Sequence, residues 1–401
     1  MNPLFVQWGG GNIGRSFIGQ VFSLSGYNVK FIDIDKDLIT SLNKMSEYIV
    51  KAVSGDTVQD IHVTRVSAID AKDQNKVNEA IVNARLMGVS VGRGVWPHIA
   101  KSLATSILAR YTITPDEPLD IILAENIHRA SAFVTSLLIP HLPDDFPIDT
   151  YVGLVETSIG KMVPIQEKNN SLTLIAEPYN ELIVDEKGFL QSIPEVKALH
   201  PVTPIGSYVD RKLFIHNLGH ATSAYLGYMA HPEKPLIAEV LEDEKVTSLV
   251  RLAMMQSSEV LLSLYPDVFT QTDLIEHIDD LLHRFTNKAL GDTVYRVGRD
   301  LMRKLRYDDR LMGIIIEAQK IGKPYDHIAR AYLAAFSFKA TDVNNEMFVN
   351  DKKLHLSLEN LSLREKLYTV SGWQESGLSI ELFNAIAERF EKIAKSIEGI
   401  N

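Results

Sequence analysis

Three glycines constrain the first thirty residues of this chain more tightly than any other feature. Leu4-Phe-Val-Gln-Trp8 reads as a short buried strand that runs straight into Gly9-Gly10-Gly11-Asn12-Ile13-Gly14. A helical stretch from Arg15 to Ser25 follows, Gly26 stops it, and Val29-Lys-Phe-Ile-Asp33 reads as a second strand. Strand, glycine turn, helix and strand in about thirty residues make a β-α-β unit. In Gly9-x-Gly11-x-x-Gly14 the first glycine permits a tight turn and the second lets backbone approach a pyrophosphate. The third lets the helix pack close to the strand. Unbonded amides at the helix start, Asn12 and Ile13 among them, and the positive helix end then face phosphate.

Asp33 closes the second strand 19 residues after Gly14. A carboxylate there accepts hydrogen bonds from both ribose hydroxyls of NAD and repels the extra phosphate of NADP, so NAD is the expected cofactor. Asp35 and Lys36 lie close enough to blur that preference. The other reading of the motif is a Rossmann-like domain kept for packing or protein contact. Arg15 reads either as a phosphate contact or as a solvated first-turn side chain. Val89-Ser-Val-Gly92-Arg93 follows another probable strand, and Gly92 allows nicotinamide or pyrophosphate to approach the backbone.

At 401 residues the chain exceeds the size at which one core keeps growing, so two domains are expected. Ala84 to Val91, Leu119 to Ala124 and Asp149 to Val155 read as further strands, and Asp185-Glu-Lys-Gly188 as a turn between two β-prone pieces. Beyond Val209 the apolar residues recur at three- and four-residue spacing and strand signals become few. The prolines Pro194, Pro201 and Pro204 mark a boundary near 195–205. The expectation is an α/β dinucleotide-binding domain over 1–200 and a mostly helical substrate-binding domain over 201–401. A net charge of -10 argues against nucleic-acid or anionic-membrane partners but leaves a small anionic substrate open. Without cysteine, disulfides, thiolate zinc sites and a cysteine nucleophile are ruled out, while a His/carboxylate metal site stays formally open. The first residues lack a signal-peptide pattern, and no apolar run approaches the ~20 residues that span a bilayer. A cytoplasmic, metal-independent protein is expected.

The chemistry is expected in Lys212-Leu-Phe-Ile-His-Asn217-Leu-Gly-His220. At about 100° per residue, Asn217 lies about 140° and His220 about 80° round an α-helix from Lys212, within one side and about 12 Å of axis. Oxidising a secondary alcohol needs a base for the hydroxyl proton. A lysine at its reference pKa of about 10.4 is protonated at neutral pH, but desolvation beside a positively charged nicotinamide turns it into a usable base. Lys212 is that candidate; alone, it reads equally as a surface lysine of an amphipathic helix. The Asn217 amide can hold the reacting oxygen and the His220 imidazole a neighbouring hydroxyl. The plainer readings are a backbone-capping asparagine and a satisfied core histidine. His216 has the wrong helical phase for a substrate contact. Asn126, just after the apolar Leu119–Ala124 stretch, is either a second oxyanion donor or a helix N-cap.

These residues, with Gly9-Gly-Gly-Asn-Ile-Gly-Arg15, Glu125-Asn126, Glu177-Pro-Tyr179, Asp210-Arg-Lys212, Tyr225-Leu-Gly227, Val294-Tyr-Arg-Val-Gly-Arg299, Arg303-Lys-Leu305 and Asp309-Arg-Leu311, resemble the polyol-specific long-chain dehydrogenases. The resemblance runs in order through most of the chain. It implies an N-terminal Rossmann domain with an extended sheet, a helical C-terminal domain, a cleft between them, no metal, and a monomer. Lys212 would be the general acid/base, Asn126 and Asn217 would polarise the reacting oxygen, and His220 would position substrate. The implied reaction converts D-mannitol 1-phosphate and NAD into D-fructose 6-phosphate and NADH. Relatives acting on unphosphorylated mannitol, or on tagaturonate or fructuronate, share the same motif. The chain departs from the family at Arg93-Gly94, at Glu156 and at Leu182. A phosphate would need cations, and Arg296, Arg299, Arg303, Lys304, Arg306 and Arg310 form a dense cluster. Arg299 and Arg303, four residues apart, are the candidates. The same cluster reads equally as a solvated helix paired with Asp292, Asp300, Asp308 and Asp309.

Overall fold

A computed structural model describes residues 2–125, 127–164, 166 and 172–398. The chain divides into two compact units, Met1–Val209 and Asp210–Asn401. Among the described residues the first contains eleven strands: β1 Leu4–Trp8, β2 Asn28–Asp33, β3 Glu47–Ser54, β4 Thr57–Thr64, β5 Val66–Asp70, β6 Leu86–Val89, β7 Leu119–Leu123, β8 Val152–Ile159, β9 Thr173–Ala176, β10 Leu182–Asp185 and β11 Leu199–Val202.

Eight of them form one sheet in the order β11-β10-β8-β7-β6-β1-β2-β5. From β8 to β5 all neighbours are parallel, with Phe5 of β1 opposite Val29 of β2 and Leu86 of β6. β10 joins β8 antiparallel and β11 continues parallel to β10, which extends the sheet beyond its parallel core. Strand side chains alternate between faces. Phe5, Phe22, Phe31 and Tyr48 therefore belong to one apolar layer, and Val6, Trp8, Met87 and Leu123 to the other. With both faces covered, β6 and β7 are buried at every position, as parallel strands require. The chain order reverses beside β1, since β2 and β5 lie on one side and β6, β7 and β8 on the other. That reversal is where open α/β sheets bind ligands.

Three features differ from the sequence reading. Asp149 to Val155 is not one strand: Ile148–Tyr151 makes a helical turn after Pro147, and β8 begins only at Val152. Tyr151 is buried there and its hydroxyl donates to the Thr114 carbonyl at 3.0 Å. A second sheet, β4-β3-β9, is built on a hairpin whose two-residue turn contains Gly55 at φ +55°. The helix after β1 opens as a π-helix over Gly14–Gly19 and becomes α-helical at Gln20–Leu24.

The second unit is helical throughout. Its longest members are Leu218–Ala230, Glu244–Leu264, Gln271–Phe285 and Ile380–Glu398. Ile215, Leu218, Tyr225, Met254, Leu261, Ile315 and Tyr332 are fully buried at its centre. Among the described residues, no helix is long and apolar enough to cross a membrane.

The closest approach in the first unit is at Gly14, where an added Cβ would lie 2.0 Å from the Gly9 carbonyl oxygen. Gly9 itself sits at φ +94°. Gly14→Ala must therefore push the turn away from the helix, at a cost of about 1–3 kcal/mol. Urea unfolding should record that loss; a variant as stable as the parent would show that the contact imposes no constraint.

Candidate active site

Because β1, β2, β6 and β7 are parallel, the segments leaving their C-terminal ends gather along one edge. Gly9–Gly14 leaves β1, Asp33 ends β2, Ser90–Gly92 follows β6 and Glu125 follows β7. Asp33 ties two of these together. Its Oδ2 accepts from the Gly10 amide at 2.6 Å, and its Oδ1 accepts from Ile34 and Asp35 at 2.7 and 3.0 Å. A carboxylate has about four acceptor sites, so it keeps capacity for a diol. Asp35 serves differently, as the N-cap of the helix Lys36–Met45, accepting from Asp37 and Leu38. Arg15 is neither a solvated side chain nor an outward one. It is buried, and its Nε donates to the Gly10 carbonyl at 2.5 Å.

The glycine turn is shaped for an anionic ligand. An added Cβ at Gly11 would meet nothing within 4 Å, so that stretch of backbone is open to close approach. The first-turn amides of Asn12 and Ile13 have no preceding turn to bond. The turn of Gly9, Gly11, Asn12, Ile13 and Gly14 thus has the open backbone and helix-start amides that a dinucleotide pyrophosphate would require.

Gly92 has a different environment. Its amide and that of Val91 both donate to Glu125 Oε1, at 2.6 and 2.8 Å. Burial raises the Glu125 pKa, while these two amides oppose the shift. Gly92 sits at φ +84° with open space where a Cβ would be. It therefore offers close backbone approach but no free N–H. Asn126 lies outside the described residues.

In the second unit, Lys212–Asn217 winds as a π-helix between the α-helices Ile205–Arg211 and Leu218–Ala230. The Leu218 amide bonds the Leu213 carbonyl, five residues back. The α-helical angles above consequently do not hold across this segment. A π turn accommodates one more residue per hydrogen-bonded loop, which brings position 217 nearer to directly above position 212. Such bulges recur at functional sites because they re-aim side chains within an otherwise regular helix.

Lys212 is half-buried, and among the described residues it makes no hydrogen bond or ion pair. Loss of water around the ammonium lowers its pKa to about 7, and the Arg310 charge adds to the depression. The Asn217 side chain is likewise unpartnered among the described residues, while its carbonyl lies 3.5 Å from Arg310 Nη1. His220 stacks on Phe285, with ring centroids 4.7 Å apart and planes 10° from parallel. Its Nε2 is 3.1 Å from Asp292 Oδ2 but not aligned for a hydrogen bond. Burial, then the Arg296 charge, push the His220 pKa well below the usual range, so the ring is neutral near pH 7. His216 is buried and also neutral, 6.3 Å from His220 between centroids.

The basic cluster separates into individual roles. The helix is not continuous through it: Val294–Gly298 ends, Asp300 adopts a left-handed φ of +73°, and Leu301–Lys304 starts afresh. Arg299 and Arg303 thus do not share one helical face. Arg296 pairs with Asp292, Arg303 with Asp300 and Asp309, Arg306 with Asp308 and Glu375, and Arg310 with Asp309. Lys304 is buried and donates to the Val297 carbonyl. Among the described residues, the Arg299 side chain alone of the six contacts no carboxylate or carbonyl; it packs over the rings of Tyr295 and Phe348 at 5.3 and 5.6 Å.

Glu125 as a loop anchor, Asp292 beside His220 and Arg310 beside Lys212 were not identified from sequence. Only Glu125 carried a local signal, an acid next to an apolar strand. The other two depend on residues 72 and 98 positions away from their neighbours, His220 and Lys212.

The mannitol dehydrogenase Rossmann domain matches residues 4–198, and the mannitol dehydrogenase C-terminal domain matches residues 204–393. The mannitol-1-phosphate 5-dehydrogenase of Lacticaseibacillus casei is 31% identical over 382 residues, covering 94% of this chain and 97% of its own. The mannitol-1-phosphate 5-dehydrogenase of Buchnera aphidicola subsp. Acyrthosiphon pisum is 31% identical over 335 residues, 83% of this chain and 86% of its own. The fold is similar to that of the Pseudomonas fluorescens mannitol 2-dehydrogenase solved with NAD and D-mannitol. That structure has a TM-score of 0.73 and 14% identity, with 99% of this chain and 92% of that one covered. A D-sorbitol dehydrogenase solved without substrate gives a TM-score of 0.77 at 13% identity, covering 99% and 94% of the two chains. With both halves of the family and relatives at 31% identity matched along most of its length, the chain belongs to the mannitol dehydrogenase family of oxidoreductases.

Proposed function

We propose that the protein is an NAD-dependent polyol-phosphate dehydrogenase that interconverts D-mannitol 1-phosphate and D-fructose 6-phosphate, with Lys212 as general acid/base. The observation that carries the reading is a desolvated Lys212, unpartnered among the described residues, whose pKa is lowered to about 7, followed at five and eight residues by Asn217 and His220. When bound, NAD supplies the hydride acceptor at C4 of its nicotinamide ring. The neutral amine of Lys212 takes the proton of the carbinol hydroxyl. The Asn217 amide donates to the same oxygen as negative charge builds on it, the role Asn126 would share. Neutral His220, held by its stack on Phe285, bonds an adjacent hydroxyl. In the reverse direction the protonated Lys212 returns the proton to the carbonyl oxygen.

The phosphate is the finer part of the proposal. It rests on the substrate named for the relatives at 31% identity and on Arg299, whose guanidinium meets no carboxylate among the described residues. Arg299 adjoins Arg296, which pairs with Asp292, and Asp292 faces His220. Arg303, already paired with two aspartates, is the weaker candidate. The matched relatives include metabolic enzymes, which fits a cytoplasmic protein with a small-molecule substrate.

Kinetics of the parent enzyme and of single-residue variants test these assignments. For oxidation, kcat/KM should rise with pH through about 7 and level off above it, because only the neutral amine accepts the proton; reduction should show the opposite slope. Lys212→Met should lower kcat by about 10²–10⁴-fold while raising the melting temperature near pH 7, since it removes a poorly solvated charge. A flat pH profile with full turnover in the variant removes Lys212 from the chemistry. Arg299→Ala should cost about tenfold to a hundredfold in kcat/KM for mannitol 1-phosphate, the scale of a charged hydrogen bond, and leave free mannitol unaffected. A parent enzyme that prefers mannitol or tagaturonate overturns the phosphate assignment. Asp33→Ala should raise the KM for NAD and reduce the preference for NAD over NADP; an unchanged ratio would exclude that carboxylate from cofactor choice.

A further inference from the structure

The helix Asp326–Ala335 carries a cation that the chemistry above does not use. His327, Arg330 and Leu333 of this helix, with Leu226, Met229 and Leu249 from two neighbouring helices, line a cavity of about 330 Å³ in the second unit. That volume lies at the small end of the range of about 300–1,000 Å³ in which small-molecule sites fall. Its walls are mainly aliphatic, and its polar groups come chiefly from His327 and Arg330.

Those polar groups are unsatisfied. Arg330 Nε and His327 Nδ1 are both buried without a hydrogen-bond partner, and Arg330 makes no ion pair among the described residues. Four other arginines of the unit are matched differently. Arg296, Arg303, Arg306 and Arg310 each face a carboxylate. The adjacent carboxylate, Asp326, is turned to Arg389 at 2.6 Å. Arg330 is thus a cation beside a largely aliphatic cavity with no counter-charge among the described residues, so a ligand that brings an anionic group into the cavity is favoured. A polyol or its phosphate would leave hydroxyls unpaired against Leu226, Leu249 and Leu333.

We propose that this cavity is a binding site for a small amphiphilic carboxylate, its anionic head between Arg330 and His327 and its unbranched hydrocarbon tail against Leu226, Met229, Leu249 and Leu333. The site shares none of Lys212, Asn217, His220 or Arg299, so it stands independently of the proposed substrate.

Titration calorimetry of the full chain with octanoate at pH 7, with octanol and acetate as tail-only and head-only probes, tests it. Octanoate should bind saturably at one per chain, octanol at least tenfold more weakly, and acetate without saturation. Arg330→Gln should weaken octanoate at least tenfold and leave octanol unchanged. Met229→Glu, at a position 55% exposed and so compatible with folding, should place a like charge on the wall and weaken octanoate by a similar factor. The proposal is overturned if octanoate fails to saturate, if octanol binds as tightly, or if a folded Arg330→Gln or Met229→Glu variant retains the parent affinity.

Discussion

Removing water from a lysine without supplying a counter-charge is the constraint on which the second unit depends. A buried ammonium is normally matched by a carboxylate or loses its proton. Among the described residues Lys212 receives no carboxylate, and the Arg310 charge opposes its protonation further. Lys304, in the same unit, shows the structural alternative, a deeply buried lysine whose ammonium is engaged by the Val297 carbonyl. Lys212 makes no comparable bond among the described residues, and the π turn that holds it sets Asn217 above it. Strained or wide backbone, an unmet cation and an unpartnered amide at one place all oppose stability. Their coincidence in one short segment, set in a well-packed helical core, is what supports the proposed proton-transfer role of Lys212.

The first unit treats its charges in the opposite manner. Asp33 and Glu125 each accept from at least two backbone amides, and each fixes a loop at the C-terminal edge of the parallel sheet. Arg15 clasps the Gly10 carbonyl from the other side. The glycine turn is thereby shaped before any ligand arrives, so little ordering remains to oppose binding. Its glycines supply close approach, while the flanking charges supply rigidity.

Much of this was readable in the sequence because it rests on local patterns. The strand, glycine turn, helix and acid of residues 4–33 form one contiguous unit, and Lys212, Asn217 and His220 fall within nine residues of one helical stretch. The helical character after Val209 followed from apolar spacing. The π turn was not legible, since one extra residue in a turn leaves the hydrophobic pattern nearly unchanged. The helical start of β8 was hidden because Ile148 and Tyr151 suit strand or helix, and only Pro147 distinguishes them. The division of the arginine cluster depends on Asp300 turning left-handed, a conformation open to aspartate but not announced by it. The pairing of His220 with Asp292 joins positions 72 residues apart, beyond any local signal.

The Glu125 anchor has one more consequence. By capturing the Val91 and Gly92 amides it removes those two donors from the loop after β6, while the missing side chain of Gly92 keeps that spot low and smooth. An oxyanion finds no proton at either amide, whereas the first-turn amides beside Gly11 remain open to one, so polarity differs between neighbouring loops of the same edge.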